Sequence, residues 1–185
     1  MSEPARTATI ELCKESFKFS AGHFTIFSAT SRERLHGHNF AVSCALTGEV
    51  QPDGLIADYR RYKRRLKELC DAWDEVLLLP AASPYLTVEP GESEVTIRFA
   101  GKRMILPRED VLLLPIRNIT LEELSWLLLQ ALVADEAAAL RDRLVEVVMR
   151  VSSGPGQWAA SRWTRPAPTW SQPPRPLPSP QAVSS

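Results

Sequence analysis

All three histidines of this 185-residue chain, His23, His36 and His38, lie within sixteen consecutive positions. Three neutral imidazoles with one open coordination position are the ligand set of a catalytic zinc site, whereas structural zinc sites favour four closed ligands, usually thiolates. The clustering therefore predicts a zinc centre that performs chemistry. The alternative is that the three histidines are unrelated to one another.

The residues around the histidines predict the strands that would hold them. Apolar and polar side chains alternate over residues 38–47, as in a half-buried strand. His36 and His38 are two residues apart at the head of this run, so both side chains leave the same face of the strand. His23 follows a second extended run, residues 10–19, and we expect it to close the site from the neighbouring strand.

Composition limits the classes of protein to consider. With 20.7 kDa and 44% hydrophobic residues, the chain can bury one ordinary core, and we expect one domain over residues 1–164. Lys+Arg and Asp+Glu balance at 22 each, which disfavours a binder of nucleic acid or of anionic membranes. We find neither the apolar core of a signal peptide nor an apolar run near the ~20 residues that span a bilayer. A cytoplasmic enzyme is the expectation.

The three cysteines are odd in number and widely spaced. Cys13, Cys44 and Cys70 lie in segments that are typical of a strand, a strand and a helix. We therefore predict buried thiols, not disulfides or metal ligands.

Two helices and an inserted hairpin are predicted further along the chain. Apolar residues recur at steps of three and four over residues 59–73, which indicates a first helix. Residues 94–99 and 103–106 flank a glycine-containing turn and predict a hairpin that elaborates the domain. A second helix begins with a capping box at Thr120. A last strand is predicted over residues 145–151.

The opposite face of the first helix carries a run of basic residues. A solvated surface is the favoured interpretation, and a landing site for phosphates or a partner subunit is the alternative. The basic residues are Arg60, Arg61, Lys63, Arg64, Arg65 and Lys67.

Residues 165–185 contain seven of the chain's 15 prolines and few apolar residues. We predict that this tail is disordered or polyproline-like.

Several motifs together resemble one family of enzymes. Their order is that of 6-pyruvoyltetrahydropterin synthase and its bacterial relative 6-carboxytetrahydropterin synthase, over about residues 8–160. The motifs are Phe19-Ser20-Ala21-Gly22-His23, Leu35-His36-Gly37-His38-Asn39-Phe40, Ala57-Asp58-Tyr59, Asn118-Ile119-Thr120-Leu121-Glu122 and Gly154-Pro155-Gly156-Gln157.

The resemblance implies an α+β tunnelling fold, in which an antiparallel four-stranded sheet carries two helices on one face. It also implies a homotrimer or homohexamer with active sites at subunit interfaces. The implied substrate is 7,8-dihydroneopterin triphosphate or a related reduced pterin, and His23, His36 and His38 would hold Zn²⁺ as a Lewis acid. Thr120 and Glu122 would contact the pterin, although Glu122 could instead merely favour the helix N-terminus.

Several family positions are changed in this chain. The position of the usual catalytic cysteine is Arg32, which cannot act as a base. Glu33 is similar in position to the carboxylate of a family branch with the pattern Glu-x-x-His-Gly-His, whose members cleave the side chain to leave 6-hydroxymethyl-dihydropterin. Glu33 is therefore the candidate base. The alternative is an exposed loop glutamate.

The proton-relaying Asp-His pair of the family corresponds to Asp74 and Glu75, and its second pterin-anchoring glutamate corresponds to Ser153. Asp74 and Glu75 are predicted to assist the base. Two hypotheses remain. The chain is a zinc-dependent lyase on a reduced pterin with altered acid-base chemistry, or it is a non-catalytic family member with a binding or regulatory role.

Overall fold

The computed structural model describes residues 6–134, 139 and 142–166. Within these ranges the chain forms ten strands, two α-helices and one short 3-10 turn. The elements are β1 (Thr7–Leu12), β2 (Lys18–His23), β3 (His36–Glu49), α1 (Tyr59–Ala72), β4 (Val76–Pro80), β5 (Thr87–Pro90), β6 (Glu94–Phe99), β7 (Lys102–Pro107), the 3-10 turn Arg108–Asp110, β8 (Val111–Leu114), α2 (Leu121–Leu132), β9 (Leu144–Gly154) and β10 (Gln157–Thr164).

The centre of the main sheet is antiparallel, in the order β10-β9-β3-β2. Both β1 and β2 pair with β3, β1 along its second half and β2 along its first half. They therefore act as one interrupted strand, and the predicted four-stranded antiparallel arrangement is present. The extended run predicted over residues 10–19 is wrong in its middle, because a turn closed by Phe17 N–H and Lys14 O (2.9 Å) separates the two strands.

Two further strands make the sheet mixed. β4 pairs parallel with β2, and β8 pairs parallel with β4. The connection from β2 to β4 contains β3 and α1, and the connection from β4 to β8 contains β5–β7, so both parallel pairs have the long connections that such pairs need. The short apolar runs of β4 and β8 were not predicted as strands of this sheet.

The two helices pack on one face of the sheet, as expected for the tunnelling fold. The first helix was predicted over residues 59–73 and ends at Ala72. At the start of α2, the Thr120 hydroxyl accepts a hydrogen bond from Glu123 N–H at 3.4 Å, which confirms the predicted N-cap. The core between helices and sheet includes Phe19, Phe40, Leu46, Leu66, Leu124, Leu128, Val147 and Met149.

The basic face of α1 is largely compensated by nearby acids. Ion pairs join Arg60 to Asp58, Arg61 to Asp142, Arg65 to Glu68 and Lys67 to Asp71. Exposed pairs of this kind contribute little to stability. The pairing favours the solvated-surface interpretation of this helix face.

The insertion is larger than the predicted hairpin. β5, β6 and β7 form a separate antiparallel sheet of three strands. It packs against the side of β4 and β8 that faces away from the helices and builds a second hydrophobic cluster there, although no second core was predicted. The cluster contains Phe24, Ile26, Leu77, Leu79, Leu86, Val95, Ile97, Phe99 and Val111.

Two of the three cysteine predictions are confirmed. Cys44 and Cys70 are buried, and burial raises the pKa of each thiol to about 12. Cys13 was predicted to be buried in a strand, but it is exposed because the chain leaves β1 at Leu12 and turns.

The C-terminal part begins differently from the prediction. Residues 157–164 form β10, which pairs with one edge of β9. The strand β10 was not predicted from the sequence. Of the tail predicted over residues 165–185, only residues 165 and 166 lie among the described residues. Neither of the helices in the described ranges is long and apolar enough to cross a membrane.

The buried face of α2 predicts a specific stability difference. Leu128 is fully buried, so Leu128→Ala should lower the free energy of unfolding by about 2–5 kcal/mol through lost burial and a residual cavity. Gln130→Ala, an exposed change on the same helix, should stay within about 0.5 kcal/mol. Urea unfolding followed by circular dichroism measures both. Equal losses would contradict the described orientation of α2.

Candidate metal centre and adjacent cavity

The three imidazoles meet where β2 pairs with β3. His23 lies directly opposite His36, and His38 extends from the same face two residues further along. The ring centroids are 4.6 Å apart for His23 and His36, 5.2 Å for His23 and His38, and 4.8 Å for His36 and His38. Their ligand nitrogens all lie within 4.8 Å of one another. The predicted triad is thus assembled by strand register alone.

The nitrogen atoms of this cluster are arranged as a metal site requires. The Nδ1 atoms of His23 and His36 lie 3.3 Å from Ile119 O and 2.7 Å from Arg34 O. Such carbonyl partners fix a tautomer in which Nδ1 carries the proton and Nε2 keeps a free lone pair. The Nε2 atoms of His36 and His38 are 3.1 Å apart, close to the roughly 3.3 Å expected between tetrahedral ligands with Zn–N bonds of about 2.0–2.1 Å.

His23 provides the strongest sign that an ion belongs here. Its side chain is only 7% exposed, and its Nε2 atom is buried without a hydrogen-bond partner among the described residues. Burial, and then the neighbouring His36, lower the pKa of His23 below its usual value, so the ring is neutral at pH 7. A buried lone pair without a partner is unfavourable, and a bound cation would satisfy it. The residues therefore fit a zinc ion.

The triad forms part of the wall of a cavity of about 610 Å³. This volume is in the range of small-molecule sites. Three of the predicted functional residues besides the histidines contribute to the wall: the candidate base Glu33 and the predicted pterin contacts Thr120 and Glu122. Ser153, at the position where the anchoring glutamate is lost, also lines it. Asn118 and Gln157 also line it and were given no role from the sequence.

Glu33 is held in this wall by the segment that follows β2. Its Oε2 accepts a hydrogen bond from Thr25 N–H at 2.9 Å, and its own N–H donates to Thr25 O at 2.9 Å. Partial burial is the largest single effect on the pKa of Glu33 and raises it, but the hydrogen bonds from Thr25 and the nearby His36 and His23 together outweigh it, so the net shift is downward. The side chain is a tethered, ionised carboxylate beside the triad.

Neither Asp74 nor Glu75 lines the cavity of about 610 Å³ that contains the triad and Glu33. The Oδ1 of Asp74 accepts a hydrogen bond from Ser20 N–H at 2.6 Å, and Glu75 N–H donates to Ser20 O at 2.7 Å. Glu75 lines a different cavity of about 600 Å³, whose wall also includes Gly22, Asn39 and two residues of the triad, His36 and His38. Asp74 lines neither of these two cavities.

Glu75 has an unusual backbone conformation. Its φ is +57°, in the left-handed region that non-glycine residues seldom occupy. The hydrogen bonds of Ser20 to both Asp74 and Glu75 hold the turn between α1 and β4 in this form. The side chain of Glu75 is therefore presented by a constrained turn.

The comparison with known proteins decides the family. The profile of the family described as 6-pyruvoyl tetrahydropterin synthase matches residues 11–162, most of the chain. This chain belongs to the 6-pyruvoyl tetrahydropterin synthase family. The resemblance inferred from the sequence motifs is thereby confirmed, and the α+β fold with two helices agrees with it.

Relatives in this family come from several archaea. A candidate 6-carboxy-5,6,7,8-tetrahydropterin synthase of Methanocaldococcus jannaschii is 32% identical over 109 residues, and one of Pyrococcus horikoshii is 29% identical over 109 residues. Each alignment covers 58% of this chain, and they cover 66% and 64% of the relatives. The aligned part of this chain thus spans just under two thirds of the length of these two proteins.

Solved structures of the family superpose closely. The 6-pyruvoyl tetrahydropterin synthase of Plasmodium vivax has a TM-score of 0.82 at 26% identity, and that of Plasmodium falciparum has 0.81 at 28%. Both matches cover 86% of this chain and 99% of the solved chain. Two further structures of the Plasmodium vivax enzyme carry alanine or cysteine in place of a catalytic glutamate.

The geometry of the triad predicts the metal content. Purified protein should bind one zinc per chain, and His38→Ala should weaken binding by more than about a hundredfold, since loss of an outer-shell partner alone weakens metal sites about 10–100-fold. Elemental analysis and Co²⁺ substitution spectra measure this. Cys13→Ser, which removes the exposed thiol, is the control and should retain the metal. Retention of zinc by the His38→Ala protein would contradict the assignment.

Proposed function

We propose that this protein is a zinc-dependent lyase that acts on 7,8-dihydroneopterin triphosphate or a related reduced pterin. The observation that carries the proposal is that an ionised carboxylate, Glu33, and the histidine triad share one cavity of about 610 Å³. Membership of the pterin synthase family supports the substrate class. When bound, zinc would act as a Lewis acid on hydroxyl oxygens of the substrate side chain.

Glu33 is proposed as the general base. Its carboxylate is ionised and held by Thr25, so it can accept a proton from the substrate side chain without first being reorganised. The proton comes from the hydroxyl on the second side-chain carbon. When the bond between this carbon and the ring-side carbon breaks, the protonated carboxyl returns the proton to the ring-side carbon, and the remainder of the side chain leaves as an aldehyde that keeps the triphosphate. In the Plasmodium vivax enzyme a glutamate is likewise the catalytic residue. The expected product is 6-hydroxymethyl-dihydropterin.

The polar part of the cavity wall at the start of α2 is proposed to bind the pterin. Thr120 caps α2 and Glu122 lies in its first turn, so both are presented at the positive end of the helix dipole. Ser153 and Gln157 complete this side of the cavity. With Ser153 in place of a second anchoring carboxylate, Glu122 is left as the acidic contact for the guanidine-like edge of the ring.

A homotrimer or homohexamer is proposed as the active assembly. Neither Asp74 nor Glu75 lines the cavity that contains Glu33, although Glu75 lines a second cavity together with His36 and His38. The family resemblance implies active sites between subunits, and in such an assembly a neighbouring copy would supply these carboxylates. Their part in the reaction is to assist Glu33 in proton transfer.

A non-catalytic, zinc-binding role is the second candidate. The observations that favour it are that Arg32, Glu75 and Ser153 occupy the positions of a catalytic cysteine, a histidine and an anchoring glutamate. Zinc-loaded protein incubated with 7,8-dihydroneopterin triphosphate, followed by chromatography, separates the two. Formation of 6-hydroxymethyl-dihydropterin supports the lyase proposal, a 6-pyruvoyl or 6-carboxy product supports the usual family chemistry, and the absence of turnover supports the non-catalytic role.

Replacement of the base tests the proposed mechanism directly. Glu33→Gln keeps the shape of the side chain but removes its proton affinity, so kcat should fall by about 10²–10⁴-fold while zinc content stays unchanged. Glu15→Gln, in the exposed turn before β2, is the matched control and should retain wild-type kcat. Turnover by the Glu33→Gln protein at the wild-type rate would show that another group is the base.

Restoration of the missing anchor should strengthen pterin binding. Ser153→Glu places a carboxylate in the cavity wall, and one charged hydrogen bond of about 1.5–3 kcal/mol corresponds to about a tenfold to hundredfold lower Kd for a reduced pterin. Quenching of pterin fluorescence measures the Kd. Thr164→Glu, an exposed change on β10 outside the cavity, should leave it unchanged. Equal affinity of the Ser153→Glu and wild-type proteins would place the pterin edge elsewhere.

A further inference from the structure

The loop that carries Glu33 is closed by its own backbone. Residues 24–33 run from the end of β2 towards β3, and Ile26 and Arg32 form an isolated antiparallel bridge within them. Beyond this bridge, Thr25 and Glu33 hydrogen-bond to each other. The position of the Glu33 carboxylate therefore depends on where the base of this loop is held.

Asn118 holds one side of the loop. Its side-chain oxygen accepts a hydrogen bond from Ile26 N–H at 3.0 Å, and its amide donates to Ile26 O at 2.8 Å. Asn118 lies just before α2, so this contact ties the loop to the helix side of the cavity.

Arg32 holds the other side. Its guanidinium carbon lies 4.5 Å from the ring centroid of Phe24 and 5.7 Å from that of Phe99. Its Nη1 also donates a hydrogen bond to Glu33 O at 2.6 Å. The side chain thus connects two aromatic rings to the backbone of the proposed base, and Arg32 is not among the residues that line the triad cavity.

Phe99 comes from the inserted sheet. It ends β6 and is buried in the second hydrophobic cluster with Phe24. The inserted sheet therefore shares a cluster with the loop residues Phe24 and Ile26, and the guanidinium over the Phe99 ring connects this cluster to the backbone of Glu33. Stacking of a guanidinium on aromatic faces and hydrogen bonding by its planar edge are both properties that lysine reproduces only in part.

We propose that Arg32 is a positioning residue, which uses Phe24 and the Phe99 ring of the inserted sheet to hold Glu33 at the triad cavity. This inference rests on the proposed function of Glu33. The inference accounts for the arginine at position 32, where the family resemblance places a cysteine. The proposed base is the next residue, Glu33, and Arg32 anchors it. The inference also assigns a role to the insertion.

The first test is Arg32→Met, which keeps an unbranched stem and removes the guanidinium. A base displaced by about 1 Å can slow a reaction about 10²-fold, so we expect kcat to fall by about tenfold to a hundredfold. KM, zinc content and Tm should stay near the wild-type values. Arg32→Lys should recover part of the loss, because an ammonium can also lie over Phe24 and donate one hydrogen bond.

A second readout does not require turnover. Hydrogen exchange of peptides covering residues 24–33, measured by mass spectrometry, should be faster in the Arg32→Met protein than in wild type, since the loop has lost one anchor. Phe99→Leu should produce the same two effects in smaller measure. The double variant should be no slower in turnover than Arg32→Met alone, because Phe99 acts through Arg32.

Arg98→Met is the matched control. Arg98 precedes Phe99 on β6, and its partner is Glu89 on the outer side of the inserted sheet, so both readouts should match wild type. Wild-type kcat and exchange in the Arg32→Met protein would overturn the inference, and so would a loss of kcat that follows loss of zinc. Additive effects in the double variant would overturn the link through Phe99.

Failure of the proposed function is distinguishable from failure of this inference. If wild-type protein turns over no reduced pterin, or if Glu33→Gln is fully active, the proposed function fails. The exchange measurement then still decides whether Arg32 holds the loop: faster exchange of residues 24–33 in the Arg32→Met protein supports the anchor, and unchanged exchange overturns it.

Discussion

The register between β2 and β3 is the constraint on which the site depends. It places His23 opposite His36 and leaves His38 on the same face. Because side chains alternate in a strand, a slip of one residue would send His23 to the other side of the sheet and dismantle the triad. Phe19 and Phe40, stacked 4.8 Å apart below the imidazoles, help to hold this register. Metal binding and core packing are therefore consequences of one pairing.

The cavity combines groups that need opposite environments. His23 is kept neutral by burial, so its Nε2 can serve as a ligand, whereas Glu33 is kept ionised by hydrogen bonds from Thr25. The neutral imidazole and the ionised carboxylate can therefore be present at the same pH. At the same wall, the start of α2 presents Thr120 and the first-turn carboxylate of Glu122. The cavity wall therefore contains a neutral ligand, an ionised carboxylate and the start of a helix, each set by its local environment.

The inserted sheet β5–β7 and the changed family position Arg32 are connected through the loop that carries Glu33. A base at Glu33 lies on a loop, and loops position side chains less firmly than strands do. Here the loop is fastened on one side by Asn118 and on the other by Arg32, whose aromatic support includes Phe99 of the inserted sheet. The second hydrophobic cluster is thus in contact with the loop that carries the proposed base.

The sequence by itself determined the triad, the alternation that creates β3, the two helices and the Thr120 cap, because each depends on periodicity or on contacts a few residues apart. Only the tertiary structure decided that β4 and β8 join the sheet in parallel, that Cys13 is exposed, and that neither Asp74 nor Glu75 lines the cavity that Glu33 shares with the triad. It also revealed the stacking of Arg32 on Phe99. These features arise from contacts between residues far apart in the chain, and a local pattern of side chains carries no information about which distant segment will pack against it.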